Sequence, residues 1–589
     1  MASRPPMSAF RMPRVAAGLL DAWRAGYGAG ELRRDVLAGL TVGIVAVPLA
    51  MALAIATGVP PQHGLYTAII AGICIALTGG SRFNVSGPTA AFVVVLLPVV
   101  QLYGLGGLLV ATIMAGCILV AMGLGRMGAL IQFVPYPVVL GFTAGIGVVI
   151  ATLQVPDFMG LPMPAGGAGR DYLARLAEIA RALPGLQLPE LALGLATLGV
   201  LLAWPRLKLP MPAPLVALMI ATLIAWIFNN LGWGIETVSD RFSWRVGDLD
   251  GRGIPPFPPL PAWPWAFPGA DGRPLQLDFG LVRALLGPAI TIALLAAIES
   301  LLCAVMANGL TRTRHDPNSE LIGQGIGNIV APFFGGITAT AAIARTATGI
   351  RSGAFSPIAA VVHSLVVLLA VVALAGLLGL VPMAALAALL FVVAWNMSEP
   401  RLFLRTLRSA PRGDAAILLV CFLLTVLFDM VLAVGVGVGL AAMLFIRRMA
   451  GLTHSSRVQV PPGPGGGGLP PEVAVYDVNG PLFFAAAEKA VTSLQVVDPG
   501  VRVIVLDMTD VPSMDATAVF AVHALAEEMR RQGVGIVMAG LQPRMVLKLL
   551  RAGLRRRAGE LAFCRSLPQG VTRATRWAAG TGPGEPPPG

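Results

Sequence analysis

Charge is what this chain has least of. Asp, Glu, Lys and Arg make up 12% of its 589 residues, against 56% hydrophobic ones. A soluble domain carries about a quarter charged residues to keep its surface in water, so most of this chain belongs in lipid. Cysteine is sparse too. Cys74, Cys117, Cys303, Cys421 and Cys564 stand far apart, with no CxxC or His/Cys ligand spacing, which excludes a disulfide framework and a cysteine metal cluster. There is no nucleophile–base pair, phosphate loop or metal-ligand run, so an enzyme is not indicated and no cofactor is expected. The N-terminal residues include Arg4, Arg11, Arg14, Arg24, Arg33 and Arg34 but lack a short apolar core followed by a small-residue cleavage site, so residues 1–34 are expected to be a retained cytosolic segment. Lys and Arg exceed Asp and Glu by 42 to 30. The excess lies in short loops rather than along one groove, so it orients a membrane protein and does not indicate nucleic acid.

What the chain does have is apolar length. A bilayer core of about 30 Å takes about 20 residues of helix, and residues 35–450 read as about fourteen such runs. Their centres fall near Val45, Ile70, Val94, Ile113, Val139, Leu198, Met219, Ile292, Gly327, Ala342, Val367, Leu389, Leu419 and Val438. An even count puts both termini on one side. The loops then expected in the cytosol carry Arg126, Arg206, Lys208, Arg312, Arg314, the series from Arg401 to Arg412, Arg447 and Arg448, as the positive-inside rule requires. Of the outer loops, 153–186 and 233–278, the second is rich in Pro, Trp and Gly and reads as an interfacial cover or a loop without fixed order. Residues 451–471 contain PPGPGGGGLPP, a linker composition. Residues 472–573 alternate short β-branched strands with amphipathic helices, a small α/β domain. Residues 574–589, ending GTGPGEPPPG, read as a disordered tail.

Two segments break helical regularity at corresponding places: NVSGPTAAFVVV (84–95) and GGITATAAIARTAT (335–348). Each carries Thr-Ala-Ala, at Thr89 and at Thr340. Paired interruptions mark an inverted repeat whose half-helices meet near the bilayer midplane, here spans one to seven and eight to fourteen. A helix start offers unpaired N–H groups and about +0.5 of charge, so two converging starts form an anion site without an ionised side chain. The candidate substrate-binding residues are Ser86, Thr89, Ala90 and Ala91 from the first segment, with Thr340, Ala341, Ala342 and Arg345 from the second. Arg345 is costly at membrane depth and adds a full positive charge, unless it snorkels to the cytosolic end. Glu299, the one acid in its span, is either paired, for instance with Arg345, or protonated; it is the candidate proton-coupling residue, against the alternative of a static salt bridge. His363 and Asp429 are weaker candidates.

The stretches PTAA, AIESLL and GGITATAAIARTATGIRSGAFSP, with the C-terminal sandwich, resemble the sulfate permease (SulP) family over about residues 30–570. Within it, GGSRFNVSGPTAAFVVV, AALLFVVAWNMSEP, LTVLFDMVLAV and VNGPLFFAAAE are most similar to its aerobic C4-dicarboxylate transporters. The resemblance implies an all-α membrane domain with a seven-plus-seven inverted repeat, a core moving as an elevator against a gate, a homodimer, and substrate held between spans three and ten. It implies secondary active transport of small anions across the bacterial inner membrane, with both termini cytoplasmic and proton-coupled succinate or fumarate as cargo. Sulfate and bicarbonate are the alternative substrates; an anion channel or an anion sensor is the alternative class. Partners implied are the small anion, protons, membrane lipid and a cytosolic protein at the C-terminal domain. This chain has Pro48-Leu49 where many members have Pro-Gln or Pro-Glu, which favours an organic anion. Glu299 and Cys303 stand where sodium-coupled members have Asp and Thr, which favours protons. LDMTDVPSMDATAVFAV is similar to the STAS (sulfate transporter and anti-sigma-factor antagonist) signature, with Ala516 where phosphorylated relatives carry Ser.

Overall fold

The computed structural model describes residues 14–131, 135–162, 172–207, 211–246, 248–428, 430–452, 454–458, 469–480, 482 and 500–580. The chain divides into two compact units, Met1–Val438 and Gly439–Gly589.

The first unit is helical. In the first half of the sequence it contains α1 (Ala17–Arg24), α2 (Ala29–Ala56), α3 (Pro61–Thr78), α4 (Ala90–Leu124), the single turn α5 (Gly128–Ile131), α6 (Tyr136–Met159), α7 (Tyr172–Ala182), α8 (Leu188–Ala203) and α9 (Ala213–Asn230). After the turn α10 (Val238–Arg241), the second half supplies α11 (Phe279–Thr311), α12 (Pro317–Val330), α13 (Ile343–Arg351), α14 (Ile358–Gly379), α15 (Met383–Ser398), α16 (Pro400–Ser409), α17 (Arg412–Leu427) and α18 (Met430–Leu452). Among the described residues nine helices are long and apolar enough to span a bilayer by themselves. The expected spans at Gly327, Ala342 and Leu419 fall on the shorter α12, α13 and α17, that at Val438 falls on α18, and two expected spans run together as one helix. The expected runs at Val94 and Ile113 share α4, broken at Gly104, where φ is +69°. Glycine is required there twice over, by the left-handed backbone and because a methyl group would enter the backbone of Gly269.

Two packing groups emerge, and each half of the sequence contributes to both. Helices α2, α3, α4, α11, α12, α13 and α14 pack on one another, with α4 against α11 and α12 and α2 against α14; α6, α8, α9, α15 and α17 form the other group. The first group takes α2, α3 and the two parts of α4 from the first half of the sequence and α11 to α14 from the second, and the other takes α6, α8 and α9 from the first and α15 and α17 from the second, the interleaving expected of an inverted repeat. At one edge of the second group Arg241 bridges Asp157 (2.7 Å) and Glu236, while Glu190 Oε1 accepts the Glu236 N–H (2.6 Å). Burial pulls the Arg241 pKa down, but its hydrogen bonds to the Glu236 and Asp157 carboxylates, with their charges, outweigh it and hold the guanidinium above its ordinary value.

The span region begins earlier than residue 35. Asp35 lies inside α2, fully buried, and accepts from Phe355 N (2.6 Å), Ser356 N (3.1 Å), Ser356 Oγ (2.5 Å) and Tyr27 OH (3.0 Å). Burial first, with Asp35 beside it, pushes the Tyr27 pKa up to about 12. The described residues of the Pro/Trp-rich loop 233–278 carry regular structure. It contains the hairpin β2 (Ser243–Val246) and β3 (Leu249–Arg252), its Ala262 N–H donates to Phe333 O, and Trp263 stacks on Trp265 at 5.0 Å.

In the second unit, strands β5 (His454–Arg457), β6 (Val473–Asn479), β7 (Val503–Asp507), β8 (Gly535–Ala539) and β9 (Leu561–Cys564) form one sheet in that order. β5 runs antiparallel to β6 and the rest are parallel. Helices α19 (Ala516–Arg531) and α20 (Pro543–Arg551) bury Val522, Leu525, Met545 and Leu549 in the core on one face, and α21 (Leu567–Ala578) buries Ala574 and Ala578 on the other. Two expected boundaries move. Residues 454–457, read as linker, are an edge strand whose polar side chains hide a backbone ladder. The end set at residue 573 falls inside α21, whose small buried residues carry too little hydropathy to stand out. Residues 459–468 of the linker and 581–589 of the tail lie outside the described residues.

Candidate functional site

The two irregular segments meet. Residues Ser86–Gly87 form β1 and Thr340–Ala341 form β4, an antiparallel pair with Ser86 opposite Ala341 and Gly87 opposite Thr340. Ala342 N–H donates to Val85 O at 3.0 Å. On leaving the pair, each strand turns into a helix. α4 starts at Ala90 behind extended Thr89, and α13 starts at Ile343 behind extended Ala342. Glycine, proline and the small Thr-Ala-Ala residues permit this because two backbones must approach within hydrogen-bonding distance. Gly87 shows the constraint directly, since a methyl group there would sit 2.6 Å from Arg345 Nη1.

Arg345 does not snorkel. It is 3% exposed, Nη2 donates to Pro88 O at 2.7 Å, and Nε is buried with no hydrogen-bond partner. Among the described residues it makes no ion pair within 4.0 Å. Glu299 is held separately, with Oε2 accepting from Thr89 Oγ1 at 2.9 Å. The cation and the carboxylate thus flank the start of α4, Arg345 through Pro88 and Glu299 through Thr89. A buried guanidinium has five N–H donors in a fixed fork, and leaving them unpaired is costly. This one is short of acceptors beside two helix starts whose first N–H groups have no partner within their helices.

The candidate residues therefore separate. Thr89, Ala90, Ala91, Ala342, Arg345 and Glu299 come together around the two helix starts. Ser86, Thr340 and Ala341 are nearby, but their side chains are committed to the interior. Ser86 Oγ accepts from Gln324 Nε2 (3.1 Å), Thr340 Oγ1 donates to Ala296 O (3.2 Å), and Ala341 is fully buried in the strand pair. The free amides at the second start follow Ala342 and belong to Ile343, Ala344 and Arg345. His363 is fully buried on α14, and Asp429 lies outside the described residues.

Sequence reasoning missed the polar scaffold behind the site. Glu320, 1% exposed, accepts four N–H bonds: Gly80 N and Ser81 N at 2.9 Å each, Asn84 Nδ2 at 2.7 Å and Gln324 Nε2 at 3.2 Å. Asn328 pairs with both backbone groups of Ala339, Oδ1 at 2.8 Å and Nδ2 at 2.9 Å. Thr67 Oγ1 accepts Ile337 N–H at 2.7 Å, and His63 Nδ1 lies 2.7 Å from Gly335 O. Helices α3 and α12 thereby clamp both broken segments. The signal was the spacing Glu320, Gln324, Asn328, a polar stripe every four residues down one face of an otherwise apolar helix. Cys303 donates its thiol to Thr346 Oγ1 at 3.2 Å.

Fold and site define a multi-pass membrane protein of the anion-transporting class. Residues 32–421 match the profile of the sulfate permease family and residues 469–563 that of the STAS domain. The chain belongs to the sulfate permease family, with a C-terminal STAS domain. It is 38% identical to the "Putative sulfate transporter YvdB" of Bacillus subtilis, over 91% of this chain and 97% of the relative. To the bicarbonate transporter BicA of a Picosynechococcus species it is 31% identical, over 88% and 91%. Its fold matches the inward-facing murine anion transporter Slc26a9 with a TM-score of 0.80, covering 96% of this chain and 94% of that one at 18% identity. It matches the transmembrane domain of a cyanobacterial BicA with a TM-score of 0.58, covering 70% and 98% at 29% identity.

Proposed function

We propose that this protein takes up C4-dicarboxylates such as succinate and fumarate together with protons. The observation that carries the reading is the buried, acceptor-poor Arg345 beside two helix starts. A guanidinium plus about +0.5 from each start gives about +2, which suits a dianion and a planar carboxylate able to take a bidentate fork. Leu49 in α2, where many relatives carry a polar residue, supports a cargo with a methylene body. Glu299 exchanges a proton as the anion arrives and leaves, a reading supported by its hydrogen bond to Thr89, the residue that precedes α4. Transport then proceeds by an elevator movement, with α2–α4 and α11–α14 carrying the site past the second helix group. The working unit is a homodimer in the inner membrane, its Arg-rich loops and both termini cytoplasmic, and its STAS domain open to a cytosolic protein partner.

The names of the relatives favour a second reading, sulfate or bicarbonate as cargo on the same site. The deciding experiment is uptake of labelled succinate into proteoliposomes under an inward proton gradient, with sulfate and bicarbonate as competitors. Saturable, gradient-driven uptake that sulfate does not block is expected. Strong sulfate or bicarbonate flux without succinate flux overturns the choice of cargo.

A further inference from the structure

A cavity of about 580 Å³ lies apart from the arginine site, whose Thr89, Arg345 and Glu299 are not among its lining. Its walls come from both helix groups. α4 and α11 line it from one group and α6 and α17 from the other, joined by Tyr172 and Arg175 of α7. The volume falls in the range of small-molecule sites, and its make-up is that of such sites, mostly apolar with a few placed polar groups. Val, Leu and Pro of α4 line it beside a few polar groups, among them Gln101, Arg175, Thr291 and the pair Tyr172 OH and Thr152 Oγ1, 3.0 Å apart.

Among the described residues Arg175 is the one charged group lining the cavity, and no carboxylate lines it. Its Nε is buried and has no hydrogen-bond partner. The charge that faces it is Glu178, one turn along the same helix, and burial still pulls the Arg175 pKa below the ordinary arginine value. An unpaired guanidinium N–H in the wall of a mostly apolar cleft is an incomplete arrangement. One carboxylate or sulfonate on an apolar body completes it.

We infer that this cavity is a second anion site, built for an amphipathic monoanion whose head pairs with Arg175 and whose body lies along α4 and α11. Because the walls belong to both helix groups, an occupant fixes the two groups in one arrangement and slows transport; this consequence alone rests on the elevator reading above. The same chemistry is offered by a free aryl or alkyl carboxylate and by an anionic membrane lipid.

The test is a calorimetric titration of the full-length protein in phosphatidylcholine nanodiscs with 2-naphthoate, and with 2-naphthamide as its neutral counterpart. Saturable binding of naphthoate is expected, with the amide weaker by about tenfold or more and Arg175→Gln weakening naphthoate about equally, the size of a lost charge-assisted hydrogen bond. Gly287 on α11 lines the cavity, and a methyl group on its Cα would meet nothing within 4 Å, so Gly287→Leu should fill the space and block binding with Arg175 intact. Adding phosphatidylglycerol decides the source: competition assigns the site to a membrane lipid, and unchanged binding assigns it to a free carboxylate. Absence of saturable binding, or binding that survives both substitutions, overturns the site. Binding that leaves uptake in proteoliposomes unslowed overturns the inhibitory role, and a protein that fails to carry succinate leaves the binding arm standing.

Discussion

Glu299 accepts a hydrogen bond from the Thr89 hydroxyl, and Thr89 precedes the first turn of α4. A Gln at this position keeps an oxygen for the hydroxyl but cannot bind and release a proton at working pH. Glu299→Gln should therefore still exchange internal for external succinate while losing acceleration by an inward proton gradient, measured as counterflow against gradient-driven uptake in the same vesicles. Retention of full gradient-driven uptake would remove Glu299 from the coupling step. The pair was half legible in the sequence. Arg345 and Glu299 announce themselves as charges in apolar runs, and an ion pair between them is the obvious guess. Their actual partners, Pro88 O and Thr89 Oγ1, depend on the turn that brings residues 88 and 89 between them, which no spacing along the chain encodes.

At the scale of elements, the broken segments are held by side chains from α3 and α12 rather than by their own regularity. Asn328 alone occupies both backbone groups of Ala339. Removing it leaves a buried N–H and a buried C=O unpaired, at about 1–3 kcal/mol each. Asn328→Ala should lower the midpoint of thermal unfolding and weaken substrate affinity, read by a melting curve with and without succinate; unchanged values for both would show that β4 holds itself. The half-helices, their small residues and the doubled Thr-Ala-Ala were readable because Gly and Pro punctuate helices locally. The strand pair between them, the joining of two runs into α4 and the edge strand β5 were not. Each is settled by a partner hundreds or tens of residues away, and each looks unremarkable in hydropathy.

For the whole molecule, β1 comes from the first half of the chain and β4 from the second, yet the two are hydrogen-bonded as one sheet. If the site travels as a body, locking this pair should cost nothing. Directly opposed residues of an antiparallel pair stand at a Cα separation of about 4.5–5.5 Å, within the range a disulfide spans, so Ser86→Cys with Ala341→Cys should cross-link on oxidation and keep its succinate uptake within about twofold of the reduced protein. Uptake abolished by oxidation and restored by reduction would mean that the segments separate during the cycle. The same pairing bears on how the protein is made. Gly80, Ser81, Asn84 and Ser86 find their partners on α12 and β4, stretches synthesised roughly 250 residues later. At ribosomal speeds of about 5–20 residues per second the first broken segment waits about 10–50 s for them, so the first half of the chain must leave the insertion machinery with its anion-binding turn still unfinished.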